Sequence, residues 1–166
     1  MMENKWLGSK TGQGFYKKTV SAEGKKEILS IDLNTLEYRS AKKAKFATLE
    51  LTKSIDKVVD RFKVLVKGKD KAGEFYRRSF AALFAYVSNR IPEITDELYK
   101  IDDAMKAGFG WEHGPFQIWD AIGVEKGIEM MAAEGLKPAD WVADMIESGS
   151  DSFYSVKNGA TYFYDI

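Results

Sequence analysis

The sequence predicts a mostly α protein, a compact orthogonal helical bundle with a small β-hairpin near each end. Three observations carry this. Between about residues 41 and 147, apolar side chains recur at helical spacing. Those runs are short and are punctuated by Gly and Pro. At both ends the period changes to that of strands, around aromatic residues and glycine turns.

The first 38 residues are rich in Gly, Lys and Thr. Gly8-Ser9-Lys10-Thr11-Gly12-Gln13-Gly14 is too glycine-rich for a helix interior. Phe15 and Tyr16 open a strand, Ala22-Glu23-Gly24-Lys25 is a turn, and the apolar Ile28, Leu29 and Ile31 return the chain as a hairpin. Ile55, Val58, Val59, Phe62 and Val66 then share one helix face. Gly68 ends that helix and Asp70 suits the N-cap of the next. Tyr76, Phe80, Leu83, Phe84 and Val87 form a second stripe, and Pro92 kinks this helix or begins another. Ile94, Leu98, Ile101 and Met105 continue the spacing until Gly108. Gly114-Pro115 starts a short helix over 116–122 that Gly123 closes, and helices over 124–134 and 138–147 are stopped by Gly135 and Gly149. From Phe153 the period becomes that of strands again, and Asn158-Gly159 marks the turn of a closing hairpin, because both residues tolerate positive φ.

The two ends echo each other. Gly14-Phe15-Tyr16-Lys17 leads through a turn into Ile28 and on to Asp32, and Ser152-Phe153-Tyr154-Ser155 leads through a turn into Tyr162 and on to Asp165. One element would then close two successive units: residues 1–38 as the tail of a preceding unit and hairpin connector, residues 39–166 as a second unit ending in its own hairpin. Phe15, Tyr16, Ile28, Leu29 and Ile31 would need a partner, since a two-stranded hairpin is marginal alone in water.

Composition narrows the function. The 166 residues are 45% hydrophobic and 13% aromatic, ample for a core. Lys plus Arg and Asp plus Glu both number 25, which argues against a dedicated nucleic-acid binder. There is no cysteine, so disulfides and thiolate metal sites are excluded. No apolar run approaches the ~20 residues of a membrane span, and residues 1–10 lack a signal-peptide stretch. A cytoplasmic protein is the expectation.

Few residues invite a chemical role. His113 is the only histidine and sits just before a Gly-Pro helix start, where a polar loop residue belongs more naturally than a general base. Asp96, Glu97, Asp102 and Asp103 cluster, but on an amphipathic helix Asp102 and Asp103 are expected to face solvent. Lys42, Lys43 and Lys45 read as a solvated basic stretch. The glycines at 8, 12 and 14 lack a preceding strand and a following helix, so they are not a dinucleotide loop. Phe109, Trp111, Phe116 and Trp119, with Met105, would line a contact surface for an apolar ligand tail or form core. No catalytic residue, cofactor site or metal site is expected within the chain.

Two stretches resemble signatures of the C-terminal domain of the 3-hydroxyacyl-CoA dehydrogenase family. Lys10-Thr11-Gly12-Gln13-Gly14-Phe15-Tyr16 resembles the stretch that ends such a domain. Ile101-Asp102-Asp103-Ala104-Met105, followed by Gly108-Phe109-Gly110 and Gly114-Pro115-Phe116, resembles the stretch in its middle. Their order here is the reverse of that within one domain, so the resemblance implies two copies, as in the multifunctional β-oxidation proteins that carry two such domains after a Rossmann domain. It implies a parent that oxidises (3S)-3-hydroxyacyl-CoA with NAD, often fused to an enoyl-CoA hydratase module. The catalytic His-Glu pair and the NAD site would lie in the Rossmann domain, while the helical domains cover the acyl-CoA substrate and make contacts with the Rossmann domain, the sister C-terminal domain or a second subunit. Asn89, Phe109, Trp111 and Phe116 are the expected substrate or interface contacts, with Asn89-Arg90 matching a family Asn-Arg but read as capping. Gly12, Gly14, Gly110, Gly114 and Pro115 are expected to be structural. A stand-alone acyl-CoA- or lipid-binding module and a purely structural dimerisation domain are the alternatives.

Overall fold

The computed structural model describes residues 2–41 and 44–166, so Lys42 and Lys43 lie outside the described residues. The chain forms two compact units, Met1–Ala44 and Lys45–Ile166.

The first unit is a three-stranded antiparallel meander: β1 (Tyr16–Val20), β2 (Lys26–Ile31) and β3 (Tyr38–Ser40). β1 and β2 are the expected hairpin, with its turn at Ser21–Lys25, where Ser21 N–H donates to the Lys25 carbonyl at 2.8 Å. β3 is an addition, since three residues are too short to show a period. A tight turn through Asp32 brings β3 back, and Asp32 Oδ1 accepts from Asn34 N–H at 3.0 Å. Before β1, residues Ser9–Thr11 make one 3-10 turn that ends on Gly12 in the left-handed region. Gly14 packs so close to Gly8 that a Cβ would lie 2.7 Å from its Cα. The Tyr38 hydroxyl donates to the Gly14 carbonyl at 2.6 Å, tying this loop to the sheet.

The second unit is helical, with seven helices among the described residues: α1 (Ala47–Thr52), α2 (Val58–Lys67), α3 (Lys71–Ser88), α4 (Leu98–Phe109), α5 (Pro115–Ile122), α6 (Val124–Ala133) and α7 (Asp140–Glu147). A two-stranded hairpin, β4 (Tyr154–Lys157) and β5 (Ala160–Phe163), closes it. The mostly α reading with small antiparallel pairs at both ends is therefore correct. Asp70 caps α3 as expected, accepting from Gly73 N–H at 3.0 Å. It also accepts from the Thr48 N–H and hydroxyl at 3.0 and 2.7 Å, which fastens α1 to the start of α3. The Thr48 and Gly73 amides hold its carboxyl down to about pH 2 in pKa.

Three local expectations change. Ile55 and Ile94 precede α2 and α4 rather than joining them; their spacing matches a stripe, but the extended backbone at Lys57 and Glu97 interrupts the helix. Gly108 lies inside α4, and the stop is Gly110, whose φ of 66° only a left-handed cap requires.

The core sits among α3, α5, α6, α7 and the closing hairpin. Phe80, Phe84 and Trp119 stack nearly parallel, with centroids 5.8 and 4.9 Å apart. Trp119 Nε1 donates to the Val124 carbonyl at 3.0 Å, so its one polar atom is satisfied. The hairpin turn places Asn158 and Gly159 at φ 52° and 79°, as the sequence reading requires.

Candidate functional site

Two carboxylates are the polar centre of the helical unit. Asp102, on α4, is fully buried. It accepts from Phe116 N–H at 2.9 Å, from Gln117 N–H at 3.1 Å and from the Tyr154 hydroxyl at 3.0 Å. The reason is legible in the chain. α5 starts at Gly114-Pro115, where the N-cap position has no side chain and the first helical residue has no N–H. Asp102 supplies from another helix the acceptor that an N-cap Ser or Asp would supply locally. Gly114 is the condition for that approach, since a Cβ there would lie 2.3 Å from Asp102 Cβ. The expectation that Asp102 faces solvent is thus corrected. It lies four residues after the buried Leu98 on the inward face of α4, whereas its neighbour Asp103 is exposed.

Asp120, near the end of α5, accepts from the Phe153 and Tyr154 amides at 2.8 and 2.9 Å, one on each oxygen. Between these contacts the Phe153 ring is fully buried, with its centroid 5.0 Å from Phe116, 4.8 Å from Trp119 and 5.8 Å from Trp141. Burial raises the Asp120 carboxyl to about 6, opposed by its two amides and reinforced by the charges of Asp102 and Asp151. Burial raises Asp102 as well, and the Tyr154 hydroxyl is raised first by burial and then by Asp102. These groups are committed to backbone amides and to each other, which makes them fasteners rather than an acid–base pair facing a cavity. Sequence reasoning missed Asp120 and Tyr154; the available signal was the unpaired N-cap at Gly114 and the Phe-Tyr echo.

A groove of about 860 Å³ lies between the end of α3 and α4. Its apolar lining includes Val87, Ile94, Ile101 and Met105, with Arg90 and Lys100 among its charged members. Arg90 pairs with Glu93 and lies over the Tyr86 ring at 5.3 Å, while Lys100 pairs with Glu97. An apolar floor with a charge-balanced rim suits an uncharged chain better than a phosphate.

The sequence-selected residues do not converge on this groove. Asn89 follows α3 as its C-cap; its amide donates to the Ala85 carbonyl at 2.8 Å. Phe109 is 74% exposed at the end of α4, and Trp111 is partly exposed in the loop after it. Phe116 is fully buried, so the reading of it as a contact residue gives way to a core role: the first turn of α5 points it at Phe153 and Trp141. Pro115 occupies the first position of α5 and is buried beside it. His113 lies 3.7 Å from the Glu112 carboxylate and edge-on to Phe62. In the loop from Gly8 to Gly14, the Gly8 amide donates to the Gln13 carbonyl, Thr11 to Gly8 and Gly14 to Tyr16. A strand follows the loop rather than a helix, which is not the setting of a pyrophosphate site.

Comparison with known proteins places these features. The family model for the C-terminal domain of 3-hydroxyacyl-CoA dehydrogenase matches residues 73–161, from the first turn of α3 into the closing hairpin. A Bacillus subtilis (strain 168) protein named as a 3-hydroxyacyl-CoA dehydrogenase is 39% identical over 165 residues, covering 99% of this chain and 20% of that protein. A Rickettsia felis protein named as a fatty acid oxidation complex trifunctional enzyme is 31% identical over 118 residues, 71% of this chain and 15% of that protein. A Rickettsia prowazekii protein of the same name is 28% identical over 127 residues, 76% of this chain and 16% of that protein. The chain thus spans a fifth or less of the length of these curated relatives. No solved structure matches it.

Proposed function

The chain belongs to the 3-hydroxyacyl-CoA dehydrogenase C-terminal-domain family, and from that premise we propose that it is the helical, substrate-covering and subunit-contacting part of an NAD-dependent (3S)-3-hydroxyacyl-CoA dehydrogenase of fatty-acid β-oxidation, working in the cytoplasm and without turnover of its own. The observation that carries this reading is the use of the interior carboxylates. Oxidation of a 3-hydroxyacyl group removes a hydride from C3 and a proton from its hydroxyl, and the proton needs a base facing the substrate. Asp102 and Asp120 instead close helix and hairpin ends. The Gly8–Gly14 loop is likewise followed by a strand rather than by the helix N-terminus that receives a pyrophosphate. In this reading NAD and the catalytic base belong to a Rossmann part of the parent, and the groove between α3 and α4 offers its apolar floor to the acyl chain.

Isothermal titration of the chain with NAD and, separately, with a (3S)-3-hydroxyacyl-CoA tests it. Saturable NAD binding would overturn the assignment. Acyl-CoA binding without NAD binding agrees with a covering role, and acyl-CoA binding lost on Ile101→Asp would assign that role to the groove.

A further inference from the structure

The turn of the closing hairpin joins an asparagine to a glycine, Asn158-Gly159, whereas the other asparagines of the chain, Asn4, Asn34 and Asn89, are followed by Lys5, Thr35 and Arg90. In an Asn-Gly pair the backbone nitrogen of the glycine can close a five-membered ring on the side-chain amide carbon of the asparagine, and the glycine has no Cβ to hinder it. The space around Gly159 is open, since a Cβ there would meet nothing within 4 Å.

The turn leaves this nitrogen without a role. Lys157 pairs with Ala160, so Asn158 and Gly159 are the two central residues, at φ 52° and 79°. The bond that closes such a turn runs from the carbonyl of its first residue to the amide of its fourth, and the amide of the third takes no part. The amides that follow two of the other asparagines are engaged: Lys5 N–H donates to the Met2 carbonyl at 2.9 Å and Arg90 N–H to the Val87 carbonyl at 3.2 Å. Every residue from Ser155 to Phe163 is exposed, so the hairpin tip leaves its turn conformation without uncovering core. The hairpin is anchored at its other end, where Asp120 accepts from the Phe153 and Tyr154 amides.

We propose that Asn158 is a site of spontaneous modification, converted by way of a cyclic imide to aspartate and isoaspartate. The Gly159 nitrogen bonds to Cγ of Asn158 and gives up its proton, the Cγ–Nδ2 bond breaks, and Nδ2 leaves as ammonia. Water then opens the ring at either carbonyl. Opening at Cγ gives aspartate and restores the main chain. Opening at the backbone carbonyl carbon of residue 158 gives isoaspartate, whose main chain runs through Cβ and Cγ. Either product adds one negative charge beside Lys157. Isoaspartate also inserts a methylene into a two-residue turn, so Lys157 and Ala160 lose their register. The hairpin then loosens from its tip, while Asp120 keeps hold of Phe153 and Tyr154.

Peptide mapping by mass spectrometry, with fragmentation that separates aspartate from isoaspartate, tests it on the folded chain held for weeks in mildly alkaline buffer. Asn158 converts about tenfold or more faster than Asn4, Asn34 or Asn89, with isoaspartate among its products. Asn158→Asp carries the added charge without the inserted methylene. Amide hydrogen exchange over residues 156–161 is therefore faster in the isoaspartyl form than in Asn158→Asp, and exchange at Phe153 and Tyr154 is the same in both. Conversion of Asn158 no faster than that of the other asparagines overturns the proposal. So does conversion that occurs only once the chain is unfolded in urea, or aspartate formed without isoaspartate. Exchange over 156–161 that matches Asn158→Asp overturns the loosening of the hairpin.

Discussion

The Tyr154 hydroxyl donates to Asp102 at 3.0 Å, so the first strand of the closing hairpin is tied to the middle of α4 by the same carboxylate that caps α5. One side chain thereby holds together two consecutive helices and a strand that lies about fifty residues further on. Asp120 repeats the arrangement at the other end of α5.

Replacing Asp102 tests how much this fastening contributes. Asp102→Ala leaves two amides and a hydroxyl without their acceptor in the interior, at about 1–3 kcal/mol for each unsatisfied group. The expected loss in urea denaturation is about 3 kcal/mol or more, with Asp102→Asn costing less and Tyr154→Phe about 1 kcal/mol. A change below about 0.5 kcal/mol for Asp102→Ala would show that water replaces the cap at no cost.

Gly114→Ala probes the same contact from the other side. The added methyl would meet the Asp102 side chain at 2.3 Å, closer than any real contact, so either α4 or the start of α5 must move. The predicted outcome is a loss of about 1–3 kcal/mol, as for overpacking in a closed core. A crystal structure of the variant should show the bonds from Asp102 to Phe116 and Gln117 lengthened; unaltered bonds with unaltered stability would contradict the account.

Stability should also depend on pH through Asp120. Its carboxyl is raised to about 6 in the folded chain, chiefly by burial. A raised carboxyl binds its proton more tightly when folded, so its contribution is complete below about pH 4 and is lost as pH rises through about 6. A two-unit rise corresponds to about 3 kcal/mol at most. Asp102, also raised, acts in the same direction. Asp70, held down to about 2, acts in the opposite sense, but only as pH falls from about 4 towards 2. Melting temperatures measured between pH 4 and 7 should fall with rising pH in the natural chain and fall less steeply in Asp120→Asn, where Asp102 alone still contributes. An equal slope in both would remove Asp120 from the explanation.

Much of the fold was legible because its local signals agree. Asp70 caps α3, Gly114-Pro115 opens α5, and Asn158-Gly159 turns the last hairpin where the chain pattern places them. β3 was not legible, since Tyr38–Ser40 is defined by its pairing with β2 rather than by any period. The fastening centre was hidden for a related reason. A carboxylate on an amphipathic helix reads as surface, and only the three-dimensional meeting of α4 with an uncapped α5 turns Asp102 inward. Phe116 was misplaced in the same way: an aromatic beside Phe109 and Trp111 in sequence points into the core, while Phe109 does not.

The proposed function has this helical chain serve a dehydrogenase without turning over by itself. The direct measurement is NADH formation at 340 nm with the purified chain, NAD and a (3S)-3-hydroxyacyl-CoA, run beside the full-length polypeptide that the proposal makes it part of. The predicted result is turnover by the full-length polypeptide and none above the protein-free rate for the chain alone. Saturable turnover by the chain alone, or none by the full-length polypeptide, would contradict the account.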